Sequence, residues 1–547
     1  MPESSSSAKT DMRSHWRSNG AQWSPRALSN DLAAAPAASS RASSPVSHLQ
    51  TYALVLICAA LVAYDALRCA LMSITHDEAL TYAWHVRGPI NDILRFATPG
   101  LPDNNHLLFT LLCKLSVALF GDGELALRLP SILAYALFCA AAAAILMRHL
   151  RGPLLVLFLL LAALNPYVVD MMSIARGYGL GIALTTAGAY CLLRDAEIEA
   201  PPRAFWSASA CLFLCLATLA HLSFLLVLAV GLGVMTLARL DAWRRGAIAL
   251  RVAAAGLVWS ALIMFAAAPL LLRQILILKG DGLLNAEGQS SFESETIRGA
   301  IDGAVYAGGC AAPVYAVLET LAYLLPLLAL LLGVAGLARP AASAGARRAE
   351  RDLLALAILL VGAALLSIAQ HYWLGVAYLA ERKTAFLFPL FAMLCGVLFA
   401  AVRHRAAAWR WTMQPILLAM ACAFVAYSAL MANLRMTKDW FYDSQTKAMM
   451  TDLAQALPRT GAQRYRFGIN WEFEPSINYY LRRNGWTSIA PVDRKGPAGV
   501  YDVYYIFDQT LPDVSAAVGP LTAIRHYDLA QATLALPAAG ADLAAPK

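Results

Sequence analysis

Charge is what this sequence has least of. Asp, Glu, Lys and Arg make up 14% of its 547 residues, against 59% hydrophobic ones. Soluble domains carry about a quarter charged residues, so a freely soluble enzyme is excluded. Mean hydropathy is +0.56, and the apolar residues recur in blocks near the length of about 20 that a membrane helix needs. The chain reads as a polytopic α-helical membrane protein. Its net charge of +8 calls for no nucleic-acid partner, because Lys and Arg gather in short loops between the apolar runs. No CxxC spacing occurs among the ten cysteines. Cys58, Cys139, Cys191, Cys211, Cys215, Cys395 and Cys422 lie inside apolar runs and read as small buried hydrophobes, which excludes a disulfide framework and a cysteine metal site. There is no internal repeat, and no matched pair of interrupted helices of the kind transporters carry.

The first 48 residues lack an apolar run, so they are no signal peptide. Rich in Ser and Ala, with Arg13, Arg17, Arg26 and Arg41, residues 1–48 are expected to be a disordered cytoplasmic tail. Eleven spans follow, at 52–74, 125–147, 153–169, 177–193, 205–220, 222–238, 252–278, 313–337, 353–372, 383–402 and 411–432. The first acts as an uncleaved anchor. The apolar stretch 106–120 is short and carries Lys114, so it is placed flat on the membrane. With that placement the Arg-rich loops at 148–151, 194–203, 239–251, 339–351 and 403–410 all fall in the cytoplasm; a spanning helix would put them all outside, against the usual bias. The expected domains are thus the tail, a membrane-embedded body at 49–432 with outer loops at 75–124 and 279–312, and a small outer α/β domain at 433–547. The loop 279–312 is polar, Gly-rich and long enough for a mobile lid. This places the protein in the cytoplasmic (inner) membrane, N-terminus inside and C-terminal domain periplasmic.

The stretch THDEALTYAW (75–84) organises the rest. It sets Asp77 and Glu78 where the first span meets water, and ionisable groups kept beside membrane segments usually have a task. A helix cap or a membrane exit would also leave such a pair. The other outer loops gather His76, Asn104, Asn105 and His106, then Asp170, Arg176 and Tyr178, then His221, and last Glu381, Arg382 and Lys383. Singly each has a plainer reading. The histidines suit interface anchors, Asp170 a helix exit, and Arg128 a side chain snorkelling to the interface. His106 and His221 are metal-capable residues, but no spacing defines a metal site. Together the set gives both signs of charge at one membrane face. Carboxylates accept a proton from a hydroxyl, and cations hold a phosphate. Such a site suits transfer of a group carried on a lipid phosphate, with Asp77 and Glu78 as catalytic candidates and His76, Asn105, His106, Arg176, Tyr178, Arg382 and Lys383 as substrate-binding ones. A transporter or flippase of lipid-linked sugars is the competing reading; it would want charges buried mid-span.

The motifs HDEALTYAW (76–84), NNHLLFTLLCKLSVALFGDGELALRLPSILA (104–134), NPYVVDMMSIARGYGLGIAL (165–184) and ERKTAFLFPL (381–390) resemble the GT-C membrane glycosyltransferases. The nearest branch holds protein O-mannosyltransferases, lipid A aminoarabinose transferases and lipopolysaccharide galacturonosyltransferases. The resemblance implies a polyprenyl-phosphate sugar donor, a cell-envelope acceptor on the periplasmic side, inversion at the transferred carbon, and a catalytic carboxylate falling on Asp77. It names no cofactor and leaves a divalent cation open. Two features depart from the pattern. Glycine-rich GYGLG (177–181) stands where relatives often place a second acid, and NNH replaces a His-Pro-Pro start of the interfacial helix.

Overall fold

Helices that no water-soluble chain would leave so bare dominate the architecture. The computed structural model describes residues 45–97, 104–197, 203–285, 288–306, 311–338, 343–457 and 464–538. The chain divides into two units, 1–52 and 53–547. Of the first, only the opening of α1 (Pro45–Leu71) is described, so the tail expected at 1–48 lies almost wholly outside the described residues. All that follows concerns the second unit.

After α1 come the short α2 (His76–Leu80), which runs on as a wider π turn (Thr81–Val86), then α3 (Ile90–Arg95), α4 (Leu107–Phe120), α5 (Glu124–Met147), α6 (Gly152–Ala163), α7 (Pro166–Ser173), α8 (Gly177–Asp195), α9 (Arg203–Ala220), α10 (Leu225–Arg244) and α11 (Leu250–Gly280). The chain continues through α12 (Gly299–Val305), α13 (Ala312–Leu337), α14 (Ala344–Leu374), α15 (Leu387–Val402) and α16 (Ala407–Met431). Among the described residues, the helices of α1, α5, α10, α11, α13, α14, α15 and α16 are long and apolar enough to cross a membrane, and α6 with α7, bent by 61°, meets the same measure only as a pair, as a broken span or a re-entrant loop. The bend has a local cause: Asn165 caps α7 by accepting from the Tyr167 and Val168 amides, and Pro166 follows.

The two expected spans outside this count are 177–193 and 205–220. All of α8 except Tyr190 and Arg194 is buried. A helix surrounded by protein needs small packing residues, not lipid-facing ones, and α8 is accordingly rich in Gly, Ala and Thr. A Cβ on Gly177 would come within 1.9 Å of the Ala220 carbonyl oxygen, and one on Gly179 within 2.4 Å of that of Met171. Gly177 and Gly179 therefore mark backbone contact with α9 and α7. At 14 residues, α4 rises only about 21 Å, short of the roughly 30 Å apolar core. Exposed aromatic residues stand one span apart, Tyr372 and Trp373 closing α14, and Trp409 and Trp411 opening α16, as interfacial belts do. Within 279–312 the described residues are largely helical. α12 buries Ile301, Gly303, Ala304 and Val305.

Beyond α16 the composition changes, and α17 (Thr446–Ala456), β1 (Phe467–Ile469), α18 (Glu474–Arg483), β2 (Val503–Phe507), α19 (Leu511–Val518), β3 (Leu521–Tyr527) and β4 (Ala532–Pro537) follow. The sheet order is β1-β2-β4-β3, with β1 parallel to β2 and the other pairs antiparallel. This α/β segment packs in one unit with the helices. Glu124, at the start of α5, pairs with Arg483 and with Lys447 (3.2 Å), and Tyr479 donates to the Asp122 carbonyl at 2.7 Å.

Candidate active site

The two neighbouring acids part company at once. Thr75 caps α2 in a reciprocal box: its hydroxyl faces the Glu78 amide at 3.5 Å, and Glu78 accepts the Thr75 amide at 2.9 Å. Glu78 is then claimed by Arg128 in a two-pronged ion pair, Nε to Oε1 at 2.8 Å and Nη2 to Oε2 at 2.6 Å, both side chains fully buried. The Ala175 amide donates to the same carboxylate at 2.5 Å. Arg128 also donates to the carbonyls of Cys69, Met72 and Ser73 at the end of α1. It is thus an internal pillar and no snorkelling side chain, because the α1 terminus and Glu78 together supply acceptors that lipid headgroups would otherwise give.

Asp77 points the other way and keeps 16% of its side chain exposed. Its Oδ2 lies 3.1 Å from Arg382 Nη1 and 3.4 Å from Arg176 Nη2. Burial pushes the Asp77 carboxyl up, but Arg176 and Arg382 outweigh it and hold it below the ordinary aspartate value. Arg176, 4% exposed, stands just before α8 and donates to Asn104 Oδ1 at 2.5 Å and Thr81 Oγ1 at 3.4 Å. Arg382 lies in a short turn, Glu381–Thr384, before α15, with its guanidinium 4.9 Å from the centre of the Trp440 ring. Lys383 is the next residue of that turn.

Behind Arg176 sits a neutral imidazole cluster. His106 packs against Tyr178 and His221 at ring distances of 5.5 and 4.9 Å, and Tyr178 against His221 at 4.3 Å. Burial, reinforced by Arg176, pushes His106 and His221 far below the usual histidine value and His85 to about 4. Arg176 Nε, His106 Nε2, Asn105 Oδ1 and both nitrogens of His85 are buried with no partner among the described residues. Such groups call for water or a polar ligand.

Not every expected binding residue reaches Asp77. His76 turns to the C-terminal domain: its amide donates to Asp443 Oδ2 at 2.6 Å, its Nδ1–H to the Glu472 carbonyl at 2.7 Å, and its ring meets Trp471 edge-on. Asn105 donates to the Ile93 carbonyl at 2.9 Å. Asp170 is bound to Arg68 at 2.5 Å and accepts from Tyr306 and from the Lys438 amide. Conversely, sequence reading passed over Tyr167, Asp439 and Trp440. Tyr167 donates to Asp439 Oδ2 at 3.0 Å, one residue before the ring that carries Arg382. The signal was present: DWFYD (439–443) is an acid and aromatic cluster just past the last span, as THDE is just past the first.

An apolar cavity of about 290 Å³ runs between α12, α13, α14, α15 and α16, with Ile301, Leu321, Leu360, Phe388 and Phe424 in its wall. Leu387 and Phe388, also lining it, follow Lys383 by a few residues, and Thr296 of the same wall donates to the Leu379 carbonyl at 2.7 Å. The groove is thus joined to the arginine turn along the chain, through the start of α15. Among the described residues no group of three His, Cys, Asp or Glu stands close enough to hold a metal ion.

No family model matches the chain, and no curated protein matches it either. Among solved structures it is similar to ArnT from Cupriavidus metallidurans in the apo state (TM-score 0.43, 15% identity, 91% of this chain and 99% of that one). It is likewise similar to the same protein bound to undecaprenyl phosphate (TM-score 0.41, 14% identity, 91% and 100%). A weaker similarity is to the arabinosyltransferase EmbB from Mycobacterium smegmatis (TM-score 0.28, 12% identity, 72% and 42%).

Proposed function

We propose that this protein is a membrane glycosyltransferase that moves a sugar from a polyprenyl-phosphate donor to an acceptor at the periplasmic face of the inner membrane. The observation that carries this reading is Asp77: a part-exposed carboxylate held by two arginines, Arg176 and Arg382, that the chain supplies from far apart. Two guanidiniums on one carboxylate make an anion site whose present occupant is a side chain. A donor phosphodiester carries one charge, as Asp77 does, and gains a second as its sugar leaves, which two arginines then favour. Its prenyl tail would lie in the apolar groove lined by Leu387 and Phe388, a few residues along the chain from Arg382 and Lys383.

The chemistry follows from that exchange. When the phosphate takes the arginines, Asp77 loses the partners that depress its basicity and becomes able to accept a proton. The acceptor hydroxyl gives its proton to Asp77, and its oxygen bonds to the sugar's anomeric carbon. The bond from that carbon to the phosphate oxygen breaks, and the electron pair leaves with polyprenyl phosphate. The added negative charge falls on Arg176 and Arg382. Glu78, fully enclosed by Arg128 and the α2 cap, supports the geometry. A second cavity of about 340 Å³, between the helix carrying Asp77 and α18 and walled by Tyr82, Trp84, Tyr479 and Arg482, offers room for the acceptor.

The test is turnover by purified protein offered a panel of polyprenyl-phosphate sugars and envelope acceptors. One donor should be consumed, with Asp77→Asn at least about 10²-fold slower at equal amounts of folded protein. A panel without turnover, or an Asp77→Asn variant as fast as the parent, overturns the reading.

A further inference from the structure

The linker that leaves α16 for α17 is fastened along its length. The Asn433 and Met436 carbonyls accept from Arg68 at 2.6 and 3.0 Å, and the Lys438 amide donates to Asp170 at 2.8 Å. The Lys438 ammonium lies over the Tyr167 ring, whose hydroxyl holds Asp439. Farther on, the His76 amide donates to Asp443. Between these last two anchors Trp440, 3% exposed, meets the Arg382 guanidinium. A mere tether between domains needs none of this.

Arg382 depends on such support. The residue before it, Glu381, is exposed and sits in the left-handed backbone region at φ 46°, a conformation that surroundings must hold in place. Its guanidinium is fixed by Asp77 and by the face of Trp440. Once a phosphate displaces Asp77, the Arg382 guanidinium keeps the Trp440 ring, the Asp439 charge beside that ring, and a long 3.9 Å approach to the exposed Glu381 carboxylate. Burial pushes the Asp439 carboxyl up, Arg382, Tyr167 and Lys438 draw it down, and Asp77 pushes it up. The two acids therefore share one field around Arg382.

The geometry points to Asp439 and Trp440 as positioning residues that keep Arg382 aimed at the donor phosphate, making the linker 433–443 a wall of the active site. This rests on the glycosyl-transfer reading above.

The experiment measures, on full-length protein in detergent, how much of a short-chain polyprenyl phosphate half-saturates the ligand-induced rise in melting temperature. The parent should bind and Arg382→Ala should bind more weakly. Trp440→Leu, which stays apolar and loses the π face, should weaken binding about tenfold, the scale of one cation–π contact. Trp440→Phe should restore it. Asp439→Asn should weaken binding and Asp439→Glu recover it. In an Arg382→Ala background neither Trp440→Leu nor Asp439→Asn should weaken binding further. Unchanged binding in both variants, or equal losses with and without Arg382, overturns the assignment while the functional reading stands. A parent that gives no rise with polyprenyl phosphate overturns that reading, and the assignment with it.

Discussion

At the scale of single residues, Asp77 and Glu78 show how one peptide bond separates two fates. Glu78 spends its oxygens on a cap, an amide and a guanidinium, all buried. Removing one partner of a buried pair leaves the other uncompensated, at about 3–5 kcal/mol. Glu78→Leu and Arg128→Met should each sharply lower the yield and melting temperature of detergent-extracted protein, and the double variant should recover part of that loss. Equal stability of the single variants and the parent would remove the pillar role. His85 gives a pH signature. Buried and near Arg176, it takes a proton only near pH 4, while the unfolded chain takes one near 6.5. The unfolded state therefore binds more protons in that window, so stability falls as pH drops from about 6.5 to about 4, by about 1.4 kcal/mol per unit for one such group. His85→Leu should melt with a shallower pH slope there than the parent, His106 and His221 supplying the remainder; identical slopes refute this. The acidic motif was legible because its chemistry is contiguous in sequence. The tie between Arg382 and Trp440 was not, since the DWFYD cluster lies far along the chain from the arginine and no spacing joins the two.

At the scale of elements, α8 carries the most consequence per residue. The span pattern placed it in the membrane, but apolarity alone does not tell a helix facing lipid from one facing protein, and glycine composition was the cue. Gly177 follows Arg176 and touches the Ala220 carbonyl, so the arginine's direction and the approach of α8 to α9 are one constraint. Gly177→Ala should push the helices apart, move Arg176 off Asp77 and cut turnover at least about tenfold, more than its effect on folded yield. Gly233→Ala, where an added methyl meets open space, should leave turnover unchanged. Normal turnover in Gly177→Ala would break the link. The bent pair α6 and α7 was likewise legible at its turn residues, Asn165 and Pro166, while the hydropathy of 153–169 hid the break.

At the scale of the whole molecule, the placement of loops 148–151 through 403–410 on one side and of the C-terminal sheet on the other is a claim about topology. A reporter fused after residue 445 should appear outside the cytoplasmic membrane and one fused near residue 345 inside; the reverse, 345 outside and 445 inside, would refute the flat placement of α4. The fastened linker also sets a timetable. Asp77 emerges on the growing chain soon after the first helix, and Trp440 only after the last has been inserted. A nascent chain that ends before residue 382 carries the acid without both arginines, and one that ends before residue 440 lacks the ring that meets Arg382. The contacts around Asp77 are therefore complete only once the linker has been made, so the geometry at the start of the chain waits on residues near its end.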